Sequence, residues 1–350
     1  MSKNIYYYAT GNTAKGYINF VHTNIKGIEQ VIVLNHPSFA LKTAVLKSVI
    51  STFEEDVGLE ILCSPFGEEY IEGIINRKES FAILTNMTAV KESMHTKIVN
   101  IEDLYLNMNA DQSEIDNELF RANHHRQRAY AHFSKGLGLH DNLEGIYINE
   151  MNFSKADQIA ENFIADLLQN VSKQNRTSNI YRRFFGTNTA VGPINIVPKI
   201  IGDLSRRVYI KGRAGTGKSV FMKKVAKACE GYGLDIELYH CSFDPGSIDM
   251  VLVPELDFCI FDSTDPHEYS PLVDGDLIID LYDKTVTPGT DEKYATEIKD
   301  VTQQYKAFLK KGTNSLNKAK LSQDKIEQLY RDLDAVKLNE ITNRVVNHMM

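Results

Sequence analysis

The chain has 350 residues, a length that suits two domains better than one compact core. Its hydrophobic fraction of 43% and charged fraction of 24% exclude disordered and collagen-like proteins. The formal net charge of −7 argues against a general nucleic-acid coat, and the sequence has no run of about 18 apolar residues that would span a membrane. We therefore expect a globular protein without membrane contact, and nucleic acid is not the expected partner.

The cysteines and the first residues bear on the compartment. The four cysteines form neither a C-x-x-C pair nor a metal-ligand spacing: Cys63, Cys229, Cys241 and Cys259. The opening MSKNIYYYATGN has no apolar segment of a secretory signal. Both features predict reduced thiols in a cytoplasmic protein.

The sequence contains two copies of one unit. ATGNTAKGYINF at 9–20 and FGTNTAVGPINI at 185–196 share the pattern N-T-A-x-G-x-I-N. The register holds in three later pairs of segments: 31–49 with 207–225, 58–84 with 233–261, and 140–147 with 323–330. The last pair aligns Glu144 with Glu327. We infer a tandem duplication and define a first unit, 1–174, and a second unit, 175–350, joined by a short polar linker.

Along the second unit, strand and helix patterns alternate. RVYIKG is a predicted strand, and the segment after the next loop has apolar residues at helical spacing and ends at Gly231 or Gly233. Four further apolar runs predict strands: 234–241, 248–254, 257–262 and 276–281. This alternation predicts a parallel α/β sheet. Residues 291–347, like 111–170 in the first unit, form a charged helical appendage that covers the sheet or packs the units together; partner binding is the alternative.

One motif carries chemistry. The segment G-R-A-G-T-G-K-S fits G-x-x-x-x-G-K-[ST], the phosphate-binding loop or P-loop, between a strand and a helix. Glycines allow the backbone to approach phosphate, backbone N–H groups cradle it, and the helix N-terminus faces the same anion. The lysine reaches the β- and γ-phosphate oxygens, and the serine hydroxyl ligates Mg²⁺. The predicted nucleotide-binding residues are Gly212, Arg213, Ala214, Gly215, Thr216, Gly217, Lys218, Ser219 and Val220.

Asp262 is the predicted second ligand of Mg²⁺, beside Ser219. It ends the apolar strand DFCIF, where a carboxylate holds the metal directly or through water; a turn-forming role is the alternative. No Glu follows Asp262, so the usual water-activating pair is missing. Either Asp265, His267 or Asp244 is the base, or hydrolysis is slow. Asp244 and Asp249 follow the second strand and either orient substrate or form turns.

The first unit has lost the glycines of this loop. Its corresponding residues run from His36 to Thr43 as H-P-S-F-A-L-K-T, with Leu41 at a glycine position and Thr85 in place of Asp262. We expect this copy not to bind nucleotide productively and to serve a structural or regulatory role; alternatively, it supplies Lys15 to the other unit. The N-T-A-x-G segments predict an architectural turn or a contact with the nucleotide base.

The chain resembles a family of bacterial tandem P-loop ATPases of uncharacterised biological role, chiefly from Gram-positive bacteria. The resemblance covers nearly the whole length and rests on N-T-A-x-G in each half, GRAGTGKS, C-S-x-D-P-x-S-x-D at 241–249 and D-S-T-x-P-H at 262–267. It implies ATP binding and hydrolysis. Many members of that family keep a glycine-rich loop in the first half as well, and this chain departs from them there.

We therefore expect an α/β fold of two tandem P-loop NTPase-like parallel-sheet units, each with a helical appendage, the first unit being degenerate. The expected function is Mg²⁺-dependent ATP hydrolysis in the second unit. ATP is the default nucleotide because no N/T-K-x-D guanine signature is present. Two alternatives stay open: a kinase acting on a small molecule or nucleotide, and a nucleotide-gated interaction protein with negligible turnover. The phosphate acceptor or protein partner is unknown.

Overall fold

The computed structural model describes residues 4–53, 58–86, 95–101, 111–265, 268–330 and 335–349. The elements of the first unit are β1 (Ile5–Tyr7), β2 (Thr10–Thr13), β3 (Gly16–Asn19), α1 (Val21–Asn24), β4 (Gln30–Asn35), α2 (Phe39–Ile50), β5 (Glu60–Cys63), β6 (Ile71–Asn76), β7 (Phe81–Leu84), β8 (His95–Asn100), α3 (Gln112–Ile148) and α4 (Phe153–Leu168).

Over the residues that the structure describes, the elements of the second unit follow the same order, with two extra short helices. They are β9 (Ile180–Arg183), β10 (Gly186–Thr189), β11 (Gly192–Asn195), α5 (Val197–Ile201), β12 (Arg206–Lys211), α6 (Lys218–Gly231), β13 (Ile236–His240), β14 (Ile248–Val253), β15 (Phe258–Asp262), β16 (Leu277–Asp280), α7 (Leu281–Thr285), α8 (Thr290–Lys293), α9 (Ala295–Leu329) and α10 (Ala335–Val346). The two extra helices are α7 and α8. In neither unit is any described helix long and apolar enough to cross a membrane.

The α/β class is confirmed, with one six-stranded sheet in each unit. The strand orders, β1-β5-β6-β7-β4-β8 and β9-β13-β14-β15-β12-β16, match strand for strand. The prediction of parallel sheets is wrong for one strand in each: β14 runs antiparallel to β13 and β15, and β6 antiparallel to β5 and β7. The reason is the connection. A single 3-10 turn, Pro254–Leu256, joins β14 to β15, and a parallel pair needs a crossover of about a dozen residues.

The C-terminal helices of the two units are exchanged. Helix α4, from the first unit, packs on α6, where Leu167 and Leu168 join the apolar core around Phe221. Helix α10, from the second unit, packs on α2, where Ile341 and Val345 are fully buried. Each sheet is thus covered by a helix from the other half of the chain. The sequence boundary between 174 and 175 stays a prediction.

The long helices α3 and α9 form an antiparallel pair. The Phe133 ring on α3 packs directly against Gly312 on α9, in the space that a side chain at that position would need. Nearer the start of α3, the Lys325 ammonium on α9 donates to the Glu118 carboxylate at 2.9 Å. Because the two helices run in opposite directions, the end of α3 reaches the second unit and the end of α9 reaches the first. The predicted helical appendages therefore pack the two units together.

The N-T-A-x-G segments form the hairpins β2–β3 and β10–β11, which contact each other. The Asn12 amide donates to the Asn188 carbonyl and the Asn188 amide to the Asn12 carbonyl, both at 2.9 Å. Beside them, Tyr8 and Phe184 exchange backbone hydrogen bonds. These asparagines therefore have an architectural role at the junction of the units.

Candidate functional site

The glycine-rich segment lies in the context that its motif requires. Strand β12 ends at Lys211, the loop follows, and α6 begins at Lys218. Gly215 and Gly217 have φ angles of +75° and +81°, left-handed conformations that disfavour residues with a side chain. The Thr216 hydroxyl donates to the Arg213 carbonyl at 2.8 Å and closes the loop on itself. The sequence pattern therefore has a local physical cause, namely a tight turn from strand into helix.

Lys218, Ser219 and Asp262 come together at this point. The Lys218 ammonium donates to the Arg213 carbonyl at 2.8 Å and lies 3.6 Å from an Asp262 carboxylate oxygen. Asp262 is there because β15 pairs directly with β12. The Ser219 hydroxyl accepts a hydrogen bond from the Ile248 backbone N–H at 2.9 Å. The two predicted metal ligands thus lie around the first turn of α6.

A second carboxyl, Asp249, belongs to the same cluster. It lies on β14 directly before Met250, and Met250 pairs with Phe261, the residue before Asp262. Burial raises the pKa of Asp249 to about 7, and the charge of Asp262 contributes in the same direction. The sequence pattern allowed Asp249 either to orient substrate or to form a turn, and in the structure Asp249 belongs to this cluster.

These residues fit a divalent cation in the manner of a P-loop. Two neighbouring carboxyls repel each other, and a cation between them would relieve that repulsion. Among the described residues, no group of three or more His, Cys, Asp and Glu side chains is arranged to hold a metal. Mg²⁺ in nucleotide sites takes only one or two carboxylates and fills its shell with phosphate oxygens and water. Ser219 with Asp262, and Asp249 nearby, meet that requirement.

Helix α3 brings a second group of residues to the loop. The backbone of Glu144 packs onto Gly215 so closely that a Cβ there would lie 2.5 Å from the Glu144 carbonyl oxygen. The Glu144 carboxylate lies 3.6 Å from His140 Nδ1. Burial raises the pKa of Glu144, and the charges of Asp141 and Asp244 add to this while Lys218 opposes it. Burial also lowers the pKa of His140.

Sequence reasoning assigned no function to Glu144 or His140. Glu144 lies more than 60 residues before the loop, in the other unit, so no local motif connects them. One signal was present, the alignment of Glu144 with Glu327 in the repeat. This alignment shows that both units have a glutamate at the same position of the repeat. It does not show which loop each glutamate faces.

The remaining predicted loop residues have structural contacts. The Arg213 guanidinium pairs with Asp291 on α8 at 3.0 Å, and Ala214 packs against the apolar cluster around Leu143 and Tyr147. Val220 is exposed on α6. The loop tip is therefore held between the end of α3 and α8.

The three predicted bases differ in their surroundings. The Asp244 carboxylate accepts from Lys15 of the first unit at 2.8 Å and from the Gly246 N–H and the Ser247 hydroxyl at 3.1 Å. Asp244 thus forms a turn and takes part in an ion pair between the two units. The group that Lys15 supplies to the second unit is therefore the partner of Asp244. Asp265 is exposed and pairs with Lys306 on α9. His267 lies outside the described residues.

In the first unit, a carboxylate of the protein occupies the corresponding loop. Glu327, at the end of α9, accepts from the backbone N–H groups of Phe39 and Ala40 at 2.8 and 3.2 Å and from the Ser38 hydroxyl at 2.5 Å. Among the described residues, the Lys42 ammonium donates to the Thr85 carbonyl at 3.3 Å and lies 5.1 Å from the centre of the Phe39 ring. The N–H groups that would face a phosphate therefore already face an anion.

Comparison of the chain with protein-family models, with curated proteins and with solved structures finds no match. The case for a function consequently rests on the residues and their geometry.

Proposed function

We propose that the second unit binds ATP with Mg²⁺ and hydrolyses it. The observation that carries the proposal is the meeting of Lys218, Ser219 and Asp262 at the first turn of α6, directly after a loop of the pattern G-x-x-x-x-G-K-S. The resemblance to tandem P-loop ATPases agrees with this proposal.

Each residue has a role that its position supports. The backbone N–H groups of the loop and the N-terminus of α6 bind the phosphates. The Lys218 ammonium leaves the Arg213 carbonyl and pairs with the β- and γ-phosphate oxygens. Ser219 and Asp262 would hold Mg²⁺, which neutralises charge on the phosphates. Arg213 stays paired with Asp291 and keeps the loop in place.

We assign water activation to Glu144, in place of the glutamate missing after Asp262. Its backbone contacts Gly215 of the loop, and the charge of Lys218 acts on its carboxylate. Its raised pKa favours accepting a proton. In the reaction, the water oxygen bonds to the γ-phosphorus while the bond to the bridging oxygen breaks. The water's proton passes to Glu144, and ADP and inorganic phosphate leave.

A nucleotide-gated switch is the second candidate, and the packing of the loop tip favours it. Gly215 touches Glu144 of α3, and Arg213 pairs with Asp291 of α8. A ligand that moved the loop would therefore move both helical appendages. In this case ATP binding changes the positions of α3 and α9, and ATP hydrolysis is negligible.

The test measures Mg²⁺-dependent ATP binding and phosphate release by the full chain, beside Lys218→Ala and Lys42→Ala. We expect Lys218→Ala to abolish both and Lys42→Ala to retain both. GTP and candidate acceptors are compared in the same assay, and stimulation by one acceptor alone would indicate a kinase. Tight binding without release would favour the switch. Absence of nucleotide binding by the wild type would overturn the proposal.

A further inference from the structure

The first unit contains a cavity beside its degenerate loop. Its volume is about 250 Å³, and its walls include Phe39, Lys42, Phe66, Tyr70, Glu72 and Arg126. Ligand pockets usually measure about 300–1,000 Å³, so this cavity suits a small metabolite rather than a nucleoside triphosphate. Arg126 comes from α3, and the other five come from α2, from β6 and from the loop between β5 and β6.

Two cations face this cavity. Lys42 is 7% exposed, and its ammonium donates to a carbonyl, that of Thr85, rather than to a carboxylate. The Arg126 guanidinium lies 4.9 Å from the centre of the Phe66 ring, and none of the described carboxylates forms an ion pair with it. Burial lowers the pKa of both groups, that of Lys42 to about 8. The charges of Glu72 and Glu327 partly offset the burial of Lys42, whereas no described carboxylate pairs with Arg126. A buried cation without a paired anion is costly unless a ligand supplies one.

The acidic residue of the cavity, Glu72, already accepts hydrogen bonds from neighbouring hydroxyl groups. Its carboxylate accepts from the Thr10 hydroxyl at 2.5 Å and from the Tyr17 hydroxyl at 3.4 Å. Burial raises its pKa to about 7, so at neutral pH it carries only part of a negative charge. The cavity therefore keeps a net positive charge, which favours an anionic ligand.

Flat rings form the apolar part of the wall. Phe39 and Phe66 are stacked with ring centroids 5.1 Å apart, and Tyr17 also stacks on Phe66, with centroids 5.8 Å apart. The loop N–H groups of Phe39 and Ala40 do not contribute to ligand binding, because they donate to the Glu327 carboxylate. A ligand would thus meet a positively charged end, Lys42 and Arg126, and an aromatic side.

We propose that this cavity is a second ligand site, which binds a small organic anion with a flat apolar body. The anionic group, a carboxylate or a phosphate monoester, lies between Lys42 and Arg126, and the flat body lies against Phe39 and Phe66. The site is separate from the nucleotide site proposed for the second unit and does not involve Lys218.

The test is calorimetric titration of the full chain with benzoate, phenyl phosphate, inorganic phosphate and benzyl alcohol. We expect one of the two aromatic anions to bind at least tenfold more tightly than inorganic phosphate and benzyl alcohol. Preference between benzoate and phenyl phosphate identifies the anionic group. Arg126→Gln should weaken binding at least tenfold. The matched control is Arg128→Gln, an exposed arginine on the same helix, which should leave binding unchanged.

Lys42→Met is the second variant, used if Arg126→Gln fails to fold, and it should weaken binding to a similar extent. Lys218→Ala should bind the aromatic anion as the wild type does, whatever happens to ATP. Three results would overturn the proposal: no saturable binding of either aromatic anion, equal binding by a folded Arg126→Gln or Lys42→Met variant, or loss of binding in Lys218→Ala.

Discussion

Glu144 and Glu327 occupy corresponding positions on the two long helices, but only Glu327 places its carboxylate on the N–H groups of the loop that it faces. The Glu144 carboxylate lies beside His140 instead, and its backbone contacts Gly215. The loop that has lost its glycines is thus filled by an anion of the protein. In the loop that kept them, none of the described carboxylates accepts from the N–H groups, the Thr216 N–H donates to the Arg213 carbonyl at 3.3 Å, and the Glu144 backbone lies beside Gly215.

Replacing Glu144 should separate turnover from binding. We expect Glu144→Gln to lower the rate of phosphate release by about 10²-fold or more, the usual contribution of a general base, and to leave ATP affinity within about threefold. Glu114→Gln, an exposed glutamate on the same helix, is the control and should change neither. Equal rates in Glu144→Gln and the wild type would remove Glu144 from the mechanism.

The pH dependence of turnover gives a separate check on Glu144. Because its folded-state pKa is raised, the proton-accepting carboxylate form is lost as pH falls through a value above that of an ordinary glutamate. We expect phosphate release by the wild type to decline on the acidic side with such a pKa. Glu144→Gln has no carboxylate to titrate, so its residual rate should lack that decline. If phosphate release by Glu144→Gln declined at the same pH as release by the wild type, the assignment of Glu144 as the base would be contradicted.

Gly215→Ala tests the contact between the loop and α3. A methyl group there would lie 2.5 Å from the Glu144 carbonyl oxygen, and φ is +75°, so either the loop or the helix must shift. We expect a loss of roughly 1–3 kcal/mol in the free energy of unfolding, measured in urea, and weaker ATP binding. Gly138→Ala is the matched control, because nothing lies within 4 Å of its added methyl. In a helix this change should be neutral or stabilising by up to about 1 kcal/mol.

Glu327→Gln should destabilise the first unit. The change removes the charge that accepts from two backbone N–H groups and the Ser38 hydroxyl at the start of α2. Hydrogen bonds to charged groups contribute about 1.5–3 kcal/mol each when buried, and this carboxylate is partly exposed, so we expect a total loss of about 1–2 kcal/mol. The exposed Glu340 on α10, changed to Gln, is the control. Unchanged stability in Glu327→Gln would mean that the internal anion is dispensable.

Arg183→Met should loosen the junction of the two units. The Arg183 guanidinium is fully buried and pairs with Glu60 of the first unit at 3.2 Å and with Glu237 of the second at 2.7 Å. Removing it leaves the buried Glu237 carboxylate without this cation, while Glu60 keeps its pair with Arg77. Breaking a buried ion pair by removing one partner typically costs about 3–5 kcal/mol. Arg182→Met, at the neighbouring exposed position, should cost much less. Chemical unfolding of the two variants compares them directly, and equal stability would show that this ion-pair network is not essential.

Several features followed from the sequence because they depend on neighbours along the chain. The strand–loop–helix around 212–219 is predicted by an apolar run, glycines at left-handed positions and apolar residues at helical spacing. The repeat predicted matching units, and the two sheets have the same strand order. The position of Asp262 beside Lys218 was also predictable, since a parallel strand that ends next to the loop strand brings its last residue to the same edge.

Other features depended on the tertiary structure, because they join residues far apart in the chain. Strand direction in β14 followed from the short connection to β15, whereas its apolar sequence suits either direction. The exchange of α4 and α10 and the antiparallel α3–α9 pair decide that Glu144 faces the second unit's loop and Glu327 the first. The sequence by itself determined which residues are proposed to bind phosphate. The packing of the long helices decided which loop has its N–H groups filled by a carboxylate of the protein, since that depends on where each helix ends in space.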